Sequence, residues 1–363
     1  MKQGMQLDAL VAELNRRADA KRDFIIDTRE VGFDRVGEDD DQKWVLDVPG
    51  NGFYAITDHA HSQISQRIGI PKRYYDRMLT TAPELLKDNV RHWFDSDPER
   101  RMIRTLDHNA RAFLSDRYRR LDNEQVAAVA LPAITSVSNA VLLSSHVTDR
   151  KLYLKTLFPD IVAEVTKDDV VRPGVIISNS EIGQGALDVQ YFFYRDFCTN
   201  GCVFGKRDVF GMKRYHTGSV VAPASGYEIF SDDTQRKEDD LILSQVSDVV
   251  EAATSSDLFM KEVEHLRAAA ASEKMQNPVA GVEALGKVVG LSLAEQESAL
   301  INLLEGRDYT KWGALNAVTK IANTAESYDR ASELEELGGA ILDITNSEWK
   351  RIVNSVQAEK LAV

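Results

Sequence analysis

The spacing of apolar residues changes once along this chain, and that change limits what it can fold into. Before about residue 230, apolar runs of strand length alternate with helical stretches. After residue 240 almost every apolar residue falls at helical spacing. Strand-length runs occur at Phe24–Asp27, Trp44–Val48, Ala140–Leu143, Leu152–Leu157, Ile161–Val165, Gly174–Ser178 and Val189–Tyr194. Met102–Leu106 and Ala110–Leu114, joined by Asp107-His108-Asn109, predict a β-hairpin. Helices are predicted over 6–20, 58–69, 71–79, 83–94 and 122–135. The first carries Leu7, Leu10, Val11 and Leu14 on one stripe, and Pro71 suits a helix start. Pro49-Gly50-Asn51-Gly52 reads as a turn, and the acidic stretch Gly37–Asp41 as a solvated loop.

Downstream, residues 238–272 read as one long periodic segment, and Val282, Leu285, Val288 and Leu291 share a helical spacing. Ser292-Leu-Ala-Glu295 is a capping box opening a helix with Leu300, Ile301, Leu303 and Leu304. Residues 312–325 and 346–356 add further helices. The expected class is therefore α+β, with two domains, as a 363-residue chain suits. Residues 1–230 form a mainly antiparallel sheet with helices, 231–240 an acidic linker, and 241–363 an all-α helical domain with an acidic exterior.

Charge follows the same division. The formal net charge is −13, but residues 221–363 hold 13 Lys and Arg against 25 Asp and Glu. The first 220 residues hold 31 against 32. A nonspecific cationic coat is excluded, whereas a local basic face on the near-neutral first part is not. No apolar run approaches the roughly 20 residues that span a bilayer, and the first residues lack the apolar core of a secretory signal. Two cysteines exclude a disulfide scaffold and fit a reducing cytoplasm.

Motifs for catalysis are scarce. Cys198 and Cys202 form a C-x3-C pair with no second pair, and His216 is the nearest histidine, so the expectation is buried thiols around an Asn200-Gly201 turn. His59 and His61 point to different faces of a helix, with Asp58 read as its N-cap. There is no phosphate loop, no nucleophile elbow and no H-E-x-x-H. Gly183-Gln-Gly185 is a lone fragment, and Asp168-Asp169 and Asp232-Asp233 sit in polar turns. Neither a cofactor nor a metal site is expected, although distant carboxylates could assemble one.

The basic segments are more informative. Residues 91–120 contain eight arginines, five acids and no lysine. Guanidinium groups bind phosphate bidentately and stack on bases. Arg100, Arg101, Arg104, Arg111, Arg117, Arg119 and Arg120 are candidate phosphate contacts, and Tyr118 a candidate stacking platform. Lys206, Arg207, Lys213 and Arg214 form a second basic stretch, and Lys72-Arg73-Tyr74-Tyr75 a third.

Several signatures then coincide in order: His61-x-Gln63, Ile68-Gly-Ile-Pro71, Tyr74-Tyr75, Leu114-Ser-Asp-Arg-Tyr118-Arg-Arg-Leu-Asp-Asn123, Ser178-Asn-Ser-Glu-Ile-Gly183, Phe197-Cys-Thr-Asn-Gly201, His216-Thr-Gly218 and Asn316-Ala-Val-Thr319. The set resembles the phage/plasmid-like protein family, a domain of unknown function numbered 932, over about residues 55–320. The resemblance implies a gene product of a phage, prophage or conjugative plasmid, and it implies no catalytic residue set.

Together these point to a nonenzymatic protein of phage or plasmid DNA metabolism. It would bind single-stranded DNA and anneal strands without ATP, as a homo-oligomer. The alternatives are a counter-defence protein that binds a host protein, and a metal-dependent nuclease.

Overall fold

The computed structural model describes residues 1–37, 42–196, 200–203, 211–215 and 232–355. The α+β class holds, with two sheets in the first part and helices in the second.

The first sheet has six strands: β1 (Arg22–Asp27), β2 (Gly32–Val36), β3 (Lys43–Val48), β4 (Gly52–Ile56), β5 (Arg100–Leu106) and β6 (Asn109–Ser115). Their order is β1-β5-β6-β4-β3-β2. All neighbours are antiparallel except β4 and β6. A parallel neighbour needs a long crossover, and α2 (Asp58–Arg67), α3 (Lys72–Thr81) and α4 (Pro83–Ser96) supply it between β4 and the β5–β6 hairpin. These helices cover one face through Ile64, Tyr75, Leu86 and Val90, against Leu46, Ile103 and Phe113. The hairpin turns at Asp107 and His108, both in the left-handed region. Their φ values of 49° and 61° match the twist that a two-residue hairpin requires.

The second sheet contains β7 (Val141–Val147), β8 (Leu152–Leu157), β9 (Ala163–Thr166), β10 (Asp169–Asn179), β11 (Leu187–Arg195), β12 (Asn200–Val203) and β13 (Gly211–Arg214). Its path is β12-β11-β10-β8-β7, with β9 on β10 and β13 on β11. Every pairing among its described strands is antiparallel. Helices α1 (Leu7–Ala20) and α5 (Asn123–Ser136) pack beside it, and Leu10, Val126 and Ala130 join its core.

The remaining helices are α6 (Asp232–Ala252), α7 (Ser256–Ala270), α8 (Pro278–Val289), α9 (Leu293–Gly306), α10 (Lys311–Ile321), α11 (Tyr328–Asp343) and α12 (Asn346–Val353). One buried apolar cluster joins them to the second sheet, from Val175 and Phe193 through Phe259 to Trp312 and Leu315. Two buried polar pins cross the same boundary. Trp312 Nε1 donates to Asp169 Oδ2 at 2.9 Å while Arg195 grips that carboxylate from β11. Lys155 on β8 meets Glu335 on α11 at 2.6 Å, both fully buried. Among the described residues no helix is long and apolar enough to cross a membrane.

Several expectations change. Residues 232–240 are helical, so the stretch read as an acidic linker opens α6 from Asp232 onward. Residues 238–272 are two helices, because Ser255 caps a new one by accepting from the Leu258 N–H. Asn200-Gly201 lies in β12, paired with Arg195 and Tyr194, rather than in a turn. Cys202 is buried, while Cys198 and His216 lie outside the described residues. Thr57, not Asp58, caps α2 by accepting from the Ala60 N–H. Of the α1 stripe only Leu10 and Leu14 are buried, and on α9 Leu303 is buried while Ile301 and Leu304 are exposed.

Candidate functional site

Three of the segments that carry the family-like signatures meet at one place: His61-x-Gln63, Leu114–Asn123 and Ser178–Gly183. The loop between β10 and β11 crosses from the second sheet onto the uncovered face of the first. Ile182 at its tip packs against Met102, Ala112 and Leu114. Gly183 turns the loop at a φ of +80°, and a Cβ there would sit 2.8 Å from Leu114 Cδ2.

Polar groups bind the loop on every side. Gln63 of α2 accepts from the Phe113 N–H at 2.7 Å and donates to the Ile182 carbonyl at 3.0 Å. His59 Nε2 donates to the same carbonyl at 2.8 Å, which leaves Nδ1 to accept from the Gln184 amide at 2.7 Å. Burial lowers the pKa of His59, which suits that neutral tautomer. Tyr118 donates to the Ser180 carbonyl at 2.9 Å.

The charges are just as fully engaged. Arg104 is fully buried and reaches Asp23 at 3.0 Å, Asp122 at 2.6 Å and the Glu181 carbonyl at 2.9 Å. Burial alone would lower its pKa; the carboxylates of Asp122 and Asp23 outweigh it and raise it. Glu181 receives Arg111 at 2.6 Å, Lys21 at 3.6 Å and the Asn123 N–H at 2.7 Å. Burial would raise the pKa of Glu181, but Arg111 and Lys21 hold it below the ordinary value. Such a buried network ties the two sheets together in one arrangement.

Five of the predicted contacts are already engaged within the protein. Arg104 and Arg111 are consumed inside the protein and cannot meet a phosphate from solvent. The Tyr118 ring packs on the Met102–Leu114 cluster, so its face is not an open platform. Arg101 pairs with Glu99 at 2.6 Å and lies over the Phe113 ring. Arg119, its side chain 12% exposed, pairs with Glu238 at 2.7 Å and Asp239 at 2.6 Å.

Three of the seven candidate arginines face solvent. Arg100 and Arg117 are exposed and make no side-chain ion pair among the described residues. Arg120 is 53% exposed and only 3.8 Å from Asp23, a loose pairing. Arg100 opens β5, and the pairing of Arg101 with Ser115 puts Arg117 at the same end of the sheet. Arg120 stands over Asp23, which faces Arg104 four residues along β5, about 13 Å away at the strand rise. Arg100 and Arg104 share a parity and hence a face. Arg100 and Arg117 at that end of the sheet, and Arg120 further along it, are the solvent-facing rim of the segment.

The second stretch approaches from α6. Lys213 lies over the Tyr215 ring at 5.0 Å, and exposed Arg214 donates to Gln245 at 3.2 Å. Lys206 and Arg207 lie outside the described residues. In the third stretch Lys72 is held by Asp58 and Asp76 and Tyr75 is buried, leaving Arg73 and Tyr74 exposed. The sequence reading did not single out Lys21, Asp23, Asp122 or Glu181, the acids and lysine of the buried network. Asp122 and Glu181 had a sequence signal only as members of the signatures Leu114–Asn123 and Ser178–Gly183, and Lys21 and Asp23 had none.

A separate cleft of about 520 Å³ lies between the N-terminal segment, the β7–β8 turn and the start of α11. Lys2, Arg17 and Arg150 face Asp149, Glu326 and Asp329 across it, so it has no net charge preference. Among the described residues no group of three His, Cys, Asp or Glu side chains is arranged to hold a metal ion.

No curated protein and no solved structure matches the chain. A family model does: that of the domain of unknown function DUF932, over residues 111–336. It begins at Arg111 in the buried network and runs to the end of α11's first two turns, so it contains Glu181 and its crossing loop. With more than half of its length matched, the chain belongs to the DUF932 family.

Proposed function

We propose that this is a nonenzymatic protein of phage or plasmid DNA metabolism that binds the backbone of single-stranded DNA through Arg100, Arg117 and Arg120. The supporting observation is that these three guanidinium groups stay open to solvent on one rim, while the other four arginines of the segment are engaged by carboxylates. Uncommitted guanidinium groups on a fixed edge can each neutralise a phosphate. Strand annealing would follow if several copies set their rims along one strand.

The test is fluorescence anisotropy with a labelled 30-mer over a salt series. Wild-type affinity should fall steeply with salt. The Arg100→Ala/Arg117→Ala/Arg120→Ala variant should lose about 2 from the logarithmic salt slope, at about 0.7 per phosphate contact. An unchanged slope, or no binding by wild type at low salt, rejects the reading.

A protein partner is the second reading, favoured by exposed Leu293, Ile301 and Leu304 on α9. A stoichiometric partner captured from nuclease-treated host lysate, lost on Leu293→Ser/Ile301→Ser, would establish it.

A further inference from the structure

We infer, on the reading that the arginine rim binds a nucleic-acid backbone, that Arg119 is a latent phosphate contact of the same surface and that Glu238 and Asp239 of α6 occupy it until a phosphate displaces them. Arg119 lies in sequence between the two rim residues Arg117 and Arg120, both exposed. It differs from them in its partners and in the burial those partners impose. Its Nη2 donates to Glu238 Oε2 at 2.7 Å and its Nε faces Asp239 Oδ1 at 2.6 Å. This two-oxygen grip is the geometry in which a guanidinium takes a phosphate.

The acidic clamp is open to competition from solvent. The Glu238 side chain is 41% exposed and that of Asp239 27%. The Glu238 side of the clamp is the exposed one, and an exposed pairing in water contributes only about 1 kcal/mol or less, so a phosphodiester held by neighbouring arginines can compete for it. The two acids are unequally held. The hydrogen bond from Arg119 pulls Glu238 below its ordinary value, with Arg214 adding to the effect. Asp239 is pushed up, by burial first, and the adjacent charges of Glu238 and Asp240 add to it. The clamp thus crowds like charges that Arg119 does not fully compensate.

The same helix face carries the second basic stretch. Gln245, which receives Arg214, lies seven residues beyond Glu238, two helical turns or about 10.5 Å along α6. Arg119 and Arg214 therefore grip one face of α6 from two segments distant in sequence. A strand that displaced the acids would find both arginines beside the rim. The acidic start of α6, which the sequence suggested was a linker, acts here as an internal competitor for the nucleic acid.

The experiment removes the competitor's charge. Glu238→Gln/Asp239→Asn should bind the labelled 30-mer about fivefold more tightly than wild type, the equivalent of one exposed ion pair. Its salt slope should steepen by about 0.7 for the added contact. Glu283→Gln/Glu297→Gln, the same change of net charge at exposed positions on α8 and α9, should leave affinity unchanged. Arg119→Ala should abolish the gain in the Glu238→Gln/Asp239→Asn background and cost little in the wild type. If the double variant melts early, Glu238→Gln alone, at the more exposed position, should still tighten binding. A wild type that binds through the rim, with no gain on neutralising α6, overturns this inference and leaves the rim intact. A gain matched by the Glu283→Gln/Glu297→Gln control also overturns it, since only net charge would then matter. No binding by either wild type or the double variant rejects the rim itself, and this inference with it.

Discussion

Replacing Arg104 separates the two kinds of arginine in the basic segment. Arg104→Met keeps an unbranched chain of similar length in the same buried channel, so little cavity should form. It leaves Asp23 and Asp122 without their guanidinium partner and the Glu181 carbonyl without a donor. Breaking a buried charge pair from one side costs roughly 3–5 kcal/mol. Here the low end applies, about 3 kcal/mol, because Lys21 still holds Asp122 at 2.7 Å and Arg120 stands 3.8 Å from Asp23. Exposed Arg100→Met should change stability by no more than about 0.5 kcal/mol. Urea unfolding followed by tryptophan fluorescence and far-ultraviolet dichroism measures both. A loss under about 1 kcal/mol for Arg104→Met would refute the account of the network. So would a stable Arg104→Met protein with weakened oligonucleotide binding, because the buried guanidinium would then have to reach the ligand.

Three other perturbations test the frame. Gly183→Ala should destabilise by more than Gly290→Ala: both have φ near +80°, but only at Gly183 does a Cβ meet side chains, and left-handed geometry alone costs about 1–2 kcal/mol. Equal losses in thermal melts would remove the crowding argument. Lys155→Met should cost about 3–5 kcal/mol by stranding Glu335 in the core, and adding Glu335→Leu should recover most of it; a double variant as unstable as the single would count against a simple buried pair. His61, bonded to the Tyr75 hydroxyl at 2.9 Å, has its pKa lowered to about 4 by burial, helped by the charge of Lys72. Below about pH 6.5 the unfolded chain takes up a proton that the folded one refuses, so stability falls by up to about 1.4 kcal/mol per pH unit until pH 4. His61→Gln should flatten that limb of the denaturation midpoint against pH, and a parallel curve would refute the assignment.

The elements that the sequence made visible are those whose burial is one-sided. The β5–β6 hairpin, α2 to α5 and the capped α9 carry clear periodicity or a turn signal, and they appear within a few residues of expectation. β2 escaped because it is an edge strand whose Asp34 and Arg35 break up its apolar pattern. α11 escaped because buried Ser332 and Glu335 and two adjacent glycines, Gly338 and Gly339, blur its apolar stripe. Glu335 faces the core only because Lys155, 180 positions away, meets it there, and no local pattern contains that partner. The two-sheet division was hidden for a related reason: β4 and β6, which join the β2–β3–β4 and β1–β5–β6 groups into one sheet, pair across three helices, so that junction has no local sequence signal.

Arginine content shows what a sequence can and cannot assign at a binding surface. Seven arginines between residues 100 and 120 looked alike as phosphate ligands. Alternation along β5 and β6 then divides them by depth. The even positions Arg100 and Arg104 share a face, yet the crossing loop closes over Arg104 and leaves Arg100 at the open end. What sets their roles is the supply of carboxylates, and those come from elsewhere: Asp23 from β1, Glu181 from the loop between β10 and β11, Glu238 and Asp239 from α6. The family-like signature Ser178–Gly183 therefore belongs first to architecture, since it delivers the buried acid that neutralises Arg111 and the carbonyl that receives Arg104. If the surface binds a nucleic-acid backbone as proposed, the contacts fall to the arginines that this architecture leaves open to solvent, Arg100, Arg117 and Arg120, and Arg119 stands between the two groups. It neighbours them in sequence but is partnered like the core, so on that proposal the charge on α6 would decide which role it plays.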